Sequence, residues 1–278
     1  MTSMTIVIAL KVGDGVVLGA DSASTIWDPK GEYAVKSYFN AEKLFNLVKG
    51  LPIGMLTYGL GGLAGRSVSS LAKDLRKRFT TPGQEPWYLD KTTYTMEQIA
   101  QHVRKFFYEE LYTPEFGKAG TKPVVGFLVA GYSASASSSE VWKVFVDNVG
   151  GCGPPQRVVS KEDSWSILWE GQAEVCYRIL KGFSPQIADR LVAAGMTPLQ
   201  AQQLLESVAP LVHPGMPIQD AIDLVHFLVD VTCKFVRFAP GAFTVAEPID
   251  SAAITPHEGF RWVRRKHYYS STFNPPQS

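Results

Sequence analysis

Cysteine is scarce in this sequence: its 278 residues include only Cys152, Cys176 and Cys233. Their number is odd, they are widely spaced, and no C-x-x-C pair occurs. This pattern argues against a disulfide framework and favours a reducing compartment. No zinc-type spacing occurs among the cysteines and the five histidines, and we expect neither a metal nor an organic cofactor.

An excess of charge of one sign is also lacking, because 27 Lys and Arg residues against 26 Asp and Glu residues leave a formal net charge of +1. Such a balance provides no strong attraction to nucleic acid or to an anionic membrane. The one dense basic run, Arg264-Arg265-Lys266-His267, is interpreted as a solvated C-terminal tail.

Long apolar runs are missing as well. No stretch approaches the ~20 uncharged apolar residues of a membrane-spanning helix. The N-terminus lacks the basic and apolar regions of a signal peptide. We therefore expect a cytoplasmic protein that binds neither nucleic acid nor membrane.

What the sequence does contain is enough apolar material for a core. Hydrophobic residues make up 45% of the chain and charged residues 19%, which is typical of a globular protein. Neither an internal repeat nor a linker divides the chain. We therefore predict a single domain over residues 5–263, followed by a C-terminal tail at residues 264–278.

Residue patterns predict strands and helices in segregated blocks. Strands are predicted at residues 5–12, 16–20, 43–47, 53–58, 124–132, 141–147, 166–169, 248–255 and 261–263, and helices at residues 63–79, 95–111, 174–180, 185–194, 198–212 and 218–238. The polar, turn-rich residues 21–40 are interpreted as a loop. Because strands and helices do not alternate one by one, the pattern favours antiparallel sheets with helices on their outer faces, an α+β fold.

A glycine-rich turn at residues 59–64, Gly-Leu-Gly-Gly-Leu-Ala, fits the G-x-G-x-x-A pattern of dinucleotide-binding folds. In such a fold the following helix feeds a parallel strand that ends in an acidic residue. In this chain it feeds Thr-Thr-Pro-Gly at residues 80–83 and then a second helix. We interpret the glycines instead as allowing close approach of the backbone and leaving amide N–H groups that point outward.

The beginning of the chain resembles a known family. Residues 5–11 read Thr-Ile-Val-Ile-Ala-Leu-Lys, and residues 15–22 read Gly-Val-Val-Leu-Gly-Ala-Asp-Ser. Together they look like the N-terminal signature of proteasome β subunits and of bacterial HslV-type peptidases, which are N-terminal nucleophile (Ntn) hydrolases. Residues 43–47, Lys-Leu-Phe-Asn-Leu, resemble the strand that opens with the family's active-site lysine. Residues 53–62 resemble the next strand and its glycine turn.

This resemblance implies a four-layer αββα sandwich of two antiparallel sheets and a threonine-type amide hydrolase. It places Thr5 on the catalytic threonine, Asp21 on the family's aspartate and Lys43 on its lysine, with Lys36 as a rival for Lys43. An N-terminal threonine can use its own α-amine as the base, and a nearby lysine keeps the pKa of that amine low by like-charge repulsion. Gly59 or a neighbour would donate a backbone N–H to the oxyanion.

The resemblance also implies how substrate would be bound and where the chain departs from the family. The groove would be lined by Ser24 and Thr25 and by the strand residues Met55, Leu56 and Thr57. The substrate would be a peptide or an unfolded protein. It would be cleaved inside a self-assembled homo-oligomeric ring or barrel, and an unfolding ATPase could deliver it to that chamber. Residues near 27–40 and 184–212 would be insertions.

Two positions where the family has supporting groups read differently in this chain. The serine expected in a glycine-serine turn is replaced by Gly171-Gln172, and the segment after the last long helix lacks the expected aspartate and serine. Thr244 or Asp250 are candidates to substitute. These departures keep two alternatives open: a non-catalytic or weakly active ring or scaffold subunit, and a small-molecule amidase on the same fold.

A free amine at Thr5 requires that nothing precede it. Translation from Met4 followed by removal of that methionine would expose Thr5, whereas a start at Met1 would leave four residues to be cleaved. Residues 1–4 are therefore interpreted as a propeptide or as a misassigned start.

Overall fold

The computed structural model describes residues 5–28, 34–205 and 211–266 of the chain. The prediction for residues 1–4 lies outside the described residues. So do most of the predicted tail and part of each predicted insertion, at residues 29–33 and 206–210.

The first sheet contains the N-terminal hairpin. Its five strands are β1 (Ile6–Val12), β2 (Gly15–Ala20), β12 (Ser166–Gly171), β13 (Asp250–Thr255) and β14 (Gly259–Arg264). They are antiparallel and lie in the order β12-β1-β2-β13-β14. Every residue of β1 and β2 is buried, as expected for central strands that are covered on both faces.

The second sheet is also antiparallel and five-stranded. Its strands are β5 (Leu44–Asn46), β6 (Ile53–Gly59), β9 (Val125–Gly131), β10 (Glu140–Val146) and β11 (Gln156–Val159). Their order is β11-β10-β9-β6-β5. The strand β11 was not predicted from the sequence.

Helices cover the outer face of each sheet. The second sheet carries α1 (Val68–Thr80), α2 (Met96–Arg104), a π-helical continuation (Lys105–Tyr112) and α3 (Thr113–Phe116). The first sheet carries α4 (Glu174–Leu180) and α7 (Ile218–Phe238). Along the chain, α5 (Pro185–Ala193) and α6 (Pro198–Leu205) follow α4 and precede α7, and they pack against each other.

Three hydrophobic clusters fill the spaces between four layers. One joins the helices α1 and α2 to the second sheet, another lies between the two sheets, and the third joins the first sheet to α4 and α7. Along β1, Val7 and Ala9 face the other sheet, whereas Ile6, Ile8 and Leu10 face α7, because successive side chains of a strand point to opposite faces. The fold is therefore an αββα sandwich, and the predicted fold class is confirmed.

Two short hairpins differ from the prediction. The residues 21–40, interpreted as a loop, contain β3 (Ser24–Trp27) paired with β4 (Ala34–Tyr38). The helix predicted from residue 63 begins at Val68, because β7 (Gly62–Leu63) and β8 (Arg66–Ser67) precede it. Ala64 and Gly65 connect these two strands with positive φ angles of 51° and 69°. Two successive positive φ angles form a tight hairpin turn and prevent a helix from starting there.

The structure also bears on the state of the cysteines, on metal binding and on membrane-spanning segments. All three cysteines are free thiols in buried positions. In residues 5–28, 34–205 and 211–266, no three His, Cys, Asp or Glu side chains lie close enough together to hold a metal ion. No helix in these same ranges combines the length and the apolar character needed to cross a membrane.

Candidate active site

Thr5 lies where the ends of three strands of the first sheet meet. It directly precedes β1 and is 2% exposed. On one side its carbonyl oxygen accepts a 2.6 Å hydrogen bond from the amide of Gln172, just after β12. On the other side the amide of Asp21, just after β2, donates to the carbonyl of Ile6 at 3.2 Å. The pairing of the sheet therefore brings Thr5 next to Asp21.

Thr5, Asp21 and Lys43 form one buried hydrogen-bonded cluster. The Thr5 hydroxyl donates to Asp21 Oδ1 at 2.7 Å. The Lys43 ammonium lies 2.6 Å from the same carboxylate oxygen and also donates to Thr5 Oγ1. Asp21 is fully buried and Lys43 is 7% exposed. The structure thus brings together three of the four side chains or amides predicted for catalysis.

The Asp21 carboxylate is held in place by main-chain amides. Oδ1 accepts from Ile6 N at 3.0 Å, and Oδ2 accepts from Ala23 N at 2.8 Å and from Ala246 N at 3.2 Å. Hydrogen bonds of this kind to a carboxylate are charge-assisted and strong. The orientation of Asp21 is consequently fixed by β1, by its own turn and by the segment before β13.

Lys43 immediately precedes β5, and its carbonyl accepts a 2.9 Å hydrogen bond from the amide of Thr57 on β6. Burial lowers the pKa of the Lys43 ammonium below its ordinary value, and the charge of Lys266 lowers it further, whereas the attraction of Asp21 opposes both effects. The rival residue Lys36 is exposed on β4, near the ring of Tyr38. The cluster around Thr5 therefore contains Lys43 and not Lys36.

Gly59 occupies the end of β6, where it pairs with Val125 of β9. Its φ angle is +85°, and a Cβ at this position would lie 2.3 Å from the carbonyl oxygen of Val124. The turn thus requires glycine, as its sequence suggested. Within the described part of the chain, no hydrogen bond joins Gly59 to Thr5, so its role as an oxyanion donor stays a prediction.

The five residues predicted to bind substrate differ in accessibility. Ser24 and Thr25 are half-buried on β3, and the Thr25 hydroxyl lies 3.1 Å from that of Ser37. The side chains of Met55, Leu56 and Thr57 are buried, at 0%, 0% and 4% exposed. These values are for whole residues, and β6 pairs with β5 on one side and with β9 on the other, so neither the side chains nor the main chain of these residues is available to a substrate in this structure. Their role in binding stays a prediction.

One of the two positions where the sequence departs from the resemblance lies beside Thr5, because the Gln172 main-chain amide donates to the Thr5 carbonyl. The Gln172 side-chain amide is 3.4 Å from the hydroxyl of Thr244. Of the two candidates to substitute for the missing supporting groups, Thr244 thus lies next to Gln172. The other candidate, Asp250, forms an ion pair with Lys266.

Sequence reasoning missed Lys266. It was interpreted as part of a solvated basic tail, but its side chain is only 6% exposed and forms an ion pair with Asp250. The interpretation was wrong for this residue because its partner is a buried carboxylate on the neighbouring strand. Its position two residues after β14 carried no local signal of burial.

Gly171 should tolerate no side chain. Its φ angle is +101°, and a Cβ there would lie 1.9 Å from the carbonyl oxygen of Thr5. We expect Gly171→Ala to lower the free energy of unfolding by about 2–6 kcal/mol, because backbone strain adds to a steric clash. Urea denaturation would measure the loss.

Gly241→Ala is the matched control for this prediction. Gly241 has a φ angle of +123°, and a Cβ there would have no described residue other than its two chain neighbours within 4 Å, so that only the strain of about 1–3 kcal/mol applies. Equal losses in the two variants would contradict a close contact between Gly171 and Thr5.

Comparisons with known proteins indicate a relationship at the level of the fold. No family model matches the sequence, and no curated protein matches it. Among solved structures, the chain is similar to the Anbu (Gly-1) mutant from Hyphomicrobium sp. strain MC1, with a TM-score of 0.52 and 13% sequence identity. The similarity covers 94% of this chain and 86% of the Anbu chain. Anbu is a bacterial protein related to the proteasome-like Ntn hydrolases. The likeness supports a proteasome-like fold without singling out the HslV-type peptidases.

Proposed function

We propose that this protein is a threonine-type Ntn hydrolase that cleaves amide bonds. The observation that carries the proposal is the buried cluster in which Thr5 Oγ1 contacts both Asp21 and Lys43 at the start of β1. A threonine hydroxyl alone is a weak nucleophile and needs a base and a fixed orientation. The proteasome-like fold adds support, because Thr5 lies at the N-terminal end of a central strand, β1.

The proposed chemistry assigns each group one task. The Thr5 α-amine takes the hydroxyl proton as Oγ1 attacks the carbonyl carbon of the substrate, and the proton then passes to the departing amine. Water hydrolyses the resulting ester and restores Thr5. A charged Lys43 keeps the pKa of the α-amine low, and Asp21 orients Lys43 and balances its charge.

The substrate and the assembly are part of the same proposal. Residues 5–263 would form one proteasome-like domain, with insertions near residues 27–40 and 184–212. The substrate would be a peptide or an unfolded protein, and the chains would form a homo-oligomeric ring or barrel in the cytoplasm. An unfolding ATPase would be a further partner.

The test compares two preparations of the protein, one translated from Met1 and one from Met4. Removal of Met4 would leave Thr5 as the first residue, which intact mass and N-terminal sequencing would establish. We expect cleavage of a panel of fluorogenic peptides only by chains that begin at Thr5, because the mechanism needs a free α-amine. A parallel panel of simple amides would distinguish a peptidase from a small-molecule amidase.

One observation favours the alternative of a non-catalytic ring or scaffold subunit. The position of the family's supporting serine is filled by Gln172, whose side chain contacts Thr244 and not Thr5. Chains that begin at Thr5, assemble and yet cleave neither peptides nor simple amides would support this alternative and overturn the hydrolase proposal.

A further inference from the structure

A second buried ion pair lies next to the Thr5 cluster. The ammonium of Lys266 pairs with Asp250 Oδ2, and the Lys266 amide donates to Asp250 Oδ1 at 2.9 Å. The two side chains are 6% and 2% exposed. Neither residue has a task in the proposed chemistry, although burying a charged pair is costly unless its geometry is good.

The pair is attached to the turn that carries Asp21. Asp250 opens β13 directly opposite Ala20, the last residue of β2. Lys266 also donates to the hydroxyl of Ser22, and this hydroxyl donates in turn to the carbonyl of Pro248. Ser22 is fully buried, so its hydroxyl is held from two sides.

Main-chain hydrogen bonds complete the connection. The Ser22 amide donates to Ala246 O at 2.9 Å, and the Ala246 amide donates to Asp21 Oδ2 at 3.2 Å. The register of β13 and β14 shifts between Ser251 and Ala252, an irregularity of the kind that redirects a strand next to a site. The residues that follow β14 are thereby brought to the end of β2.

We propose that Lys266, paired with Asp250, is a positioning residue that holds the Asp21–Ala23 turn against Thr5 and Lys43. It also brings a positive charge to that site, and Asp250 balances this charge. This inference rests on the proposed function but is tested by measurements that do not require cleavage. The charged or titratable groups near Lys43 are Asp21 after β2, Cys233 on α7 and Lys266 itself. Among these three groups, Lys266 is the one cation, so it would repel a second positive charge at the site, which is that of the protonated Thr5 α-amine.

The first test measures the pKa of the Thr5 α-amine from the pH dependence of its acetylation, followed by mass spectrometry. The protein is released from a fusion so that Thr5 is its first residue. Lys266→Met leaves the negative charge of Asp250 unpaired near the site and should raise the pKa of the α-amine by about half a pH unit. Asp250→Asn leaves a positive charge and should lower it by about as much.

Asp230→Asn and Lys234→Met are the matched controls, because they remove one member each of an exposed Lys–Asp pair on α7. We expect these controls to leave the α-amine pKa unchanged. The charge effect is overturned if the two test variants do not shift the pKa in opposite directions beyond the controls. If the pair had a purely structural role, the two test variants would shift the α-amine pKa in the same direction, or neither would shift it.

A second test applies even if one single variant fails to fold. The double variant Asp250→Asn with Lys266→Met carries no unpaired buried charge. We expect the amides of Ala23 and Ala246, which bind Asp21, to exchange with solvent at least about tenfold faster in it. Unchanged protection, relative to a double variant of Asp230 and Lys234, would overturn the positioning role. If both results are as expected but the unaltered protein that begins at Thr5 cleaves no amide, the hydrolase proposal fails and the positioning role of Lys266 stands.

Discussion

Changing Thr5 to alanine is expected to abolish amide cleavage by chains that begin at residue 5, with a loss of at least about 10³-fold in kcat/KM. The variant retains the α-amine, Asp21 and Lys43, so the loss would be that of the nucleophile alone. Fluorogenic peptide assays would measure the rate. The folded state should survive, because the Asp21–Lys43 ion pair stays in place and a hydrogen bond to a charged group contributes about 1.5–3 kcal/mol, less than the total stability of about 5–15 kcal/mol that is typical of a domain.

Two substitutions make this result specific. Thr5→Ser keeps a hydroxyl on the first residue and should retain measurable cleavage. Thr80→Ala removes a hydroxyl from the exposed end of α1, where it bonds to Arg76 O, and should leave the rate unchanged. Cleavage that persists in Thr5→Ala would show that another residue, or a contaminating peptidase, carries the activity.

The regular elements of the fold could be predicted because their signals are local. The bounds of α4 and α7 agree with the predicted ranges, since each helix has a continuous apolar face ended by turn residues. The central strands β1 and β6 were recognised from apolar runs too short for helices. The short strands β3, β4 and β11 were missed, because half-exposed segments of four or five residues are strands only through their partners.

The site could be predicted only where its residues match a known pattern. Resemblance at residues 5–22 and 43–47 singled out Thr5, Asp21 and Lys43, which the fold brings together from three separate segments. Lys266 has no such pattern, and it lies 244 residues from the Ser22 hydroxyl that it contacts. Burial of a basic residue so far along the chain depends on the pairing of β13 and β14, which local sequence does not reveal.

Changing Asp21 to asparagine should destabilise the protein strongly and make its stability more dependent on pH. The substitution leaves the Lys43 ammonium buried without its counter-charge, and breaking a buried ion pair in this way costs about 3–5 kcal/mol. Asparagine is nearly isosteric, so packing changes little. Urea denaturation at several pH values would measure the free energy of unfolding.

The direction of the pH dependence follows from the pKa of Lys43, which is lower in the folded state than its ordinary value of 10.5. Between the two values the unfolded chain binds more protons than the folded one, so stability rises with pH. In Asp21→Asn the attraction that raises the folded pKa is lost, and this range extends to lower pH. The loss of stability should therefore be largest near neutral pH and smaller near pH 10.

Asp74→Asn is the control, because it removes an aspartate from an exposed ion pair with Arg66. Such pairs contribute about 0–1 kcal/mol, and we expect neither a large loss nor an added pH dependence. An Asp21→Asn variant as stable as this control would mean that Lys43 is neutral in the folded protein. The like-charge effect of Lys43 on the Thr5 α-amine would then fail, and the neutral Lys43 amine would become a second candidate for the base.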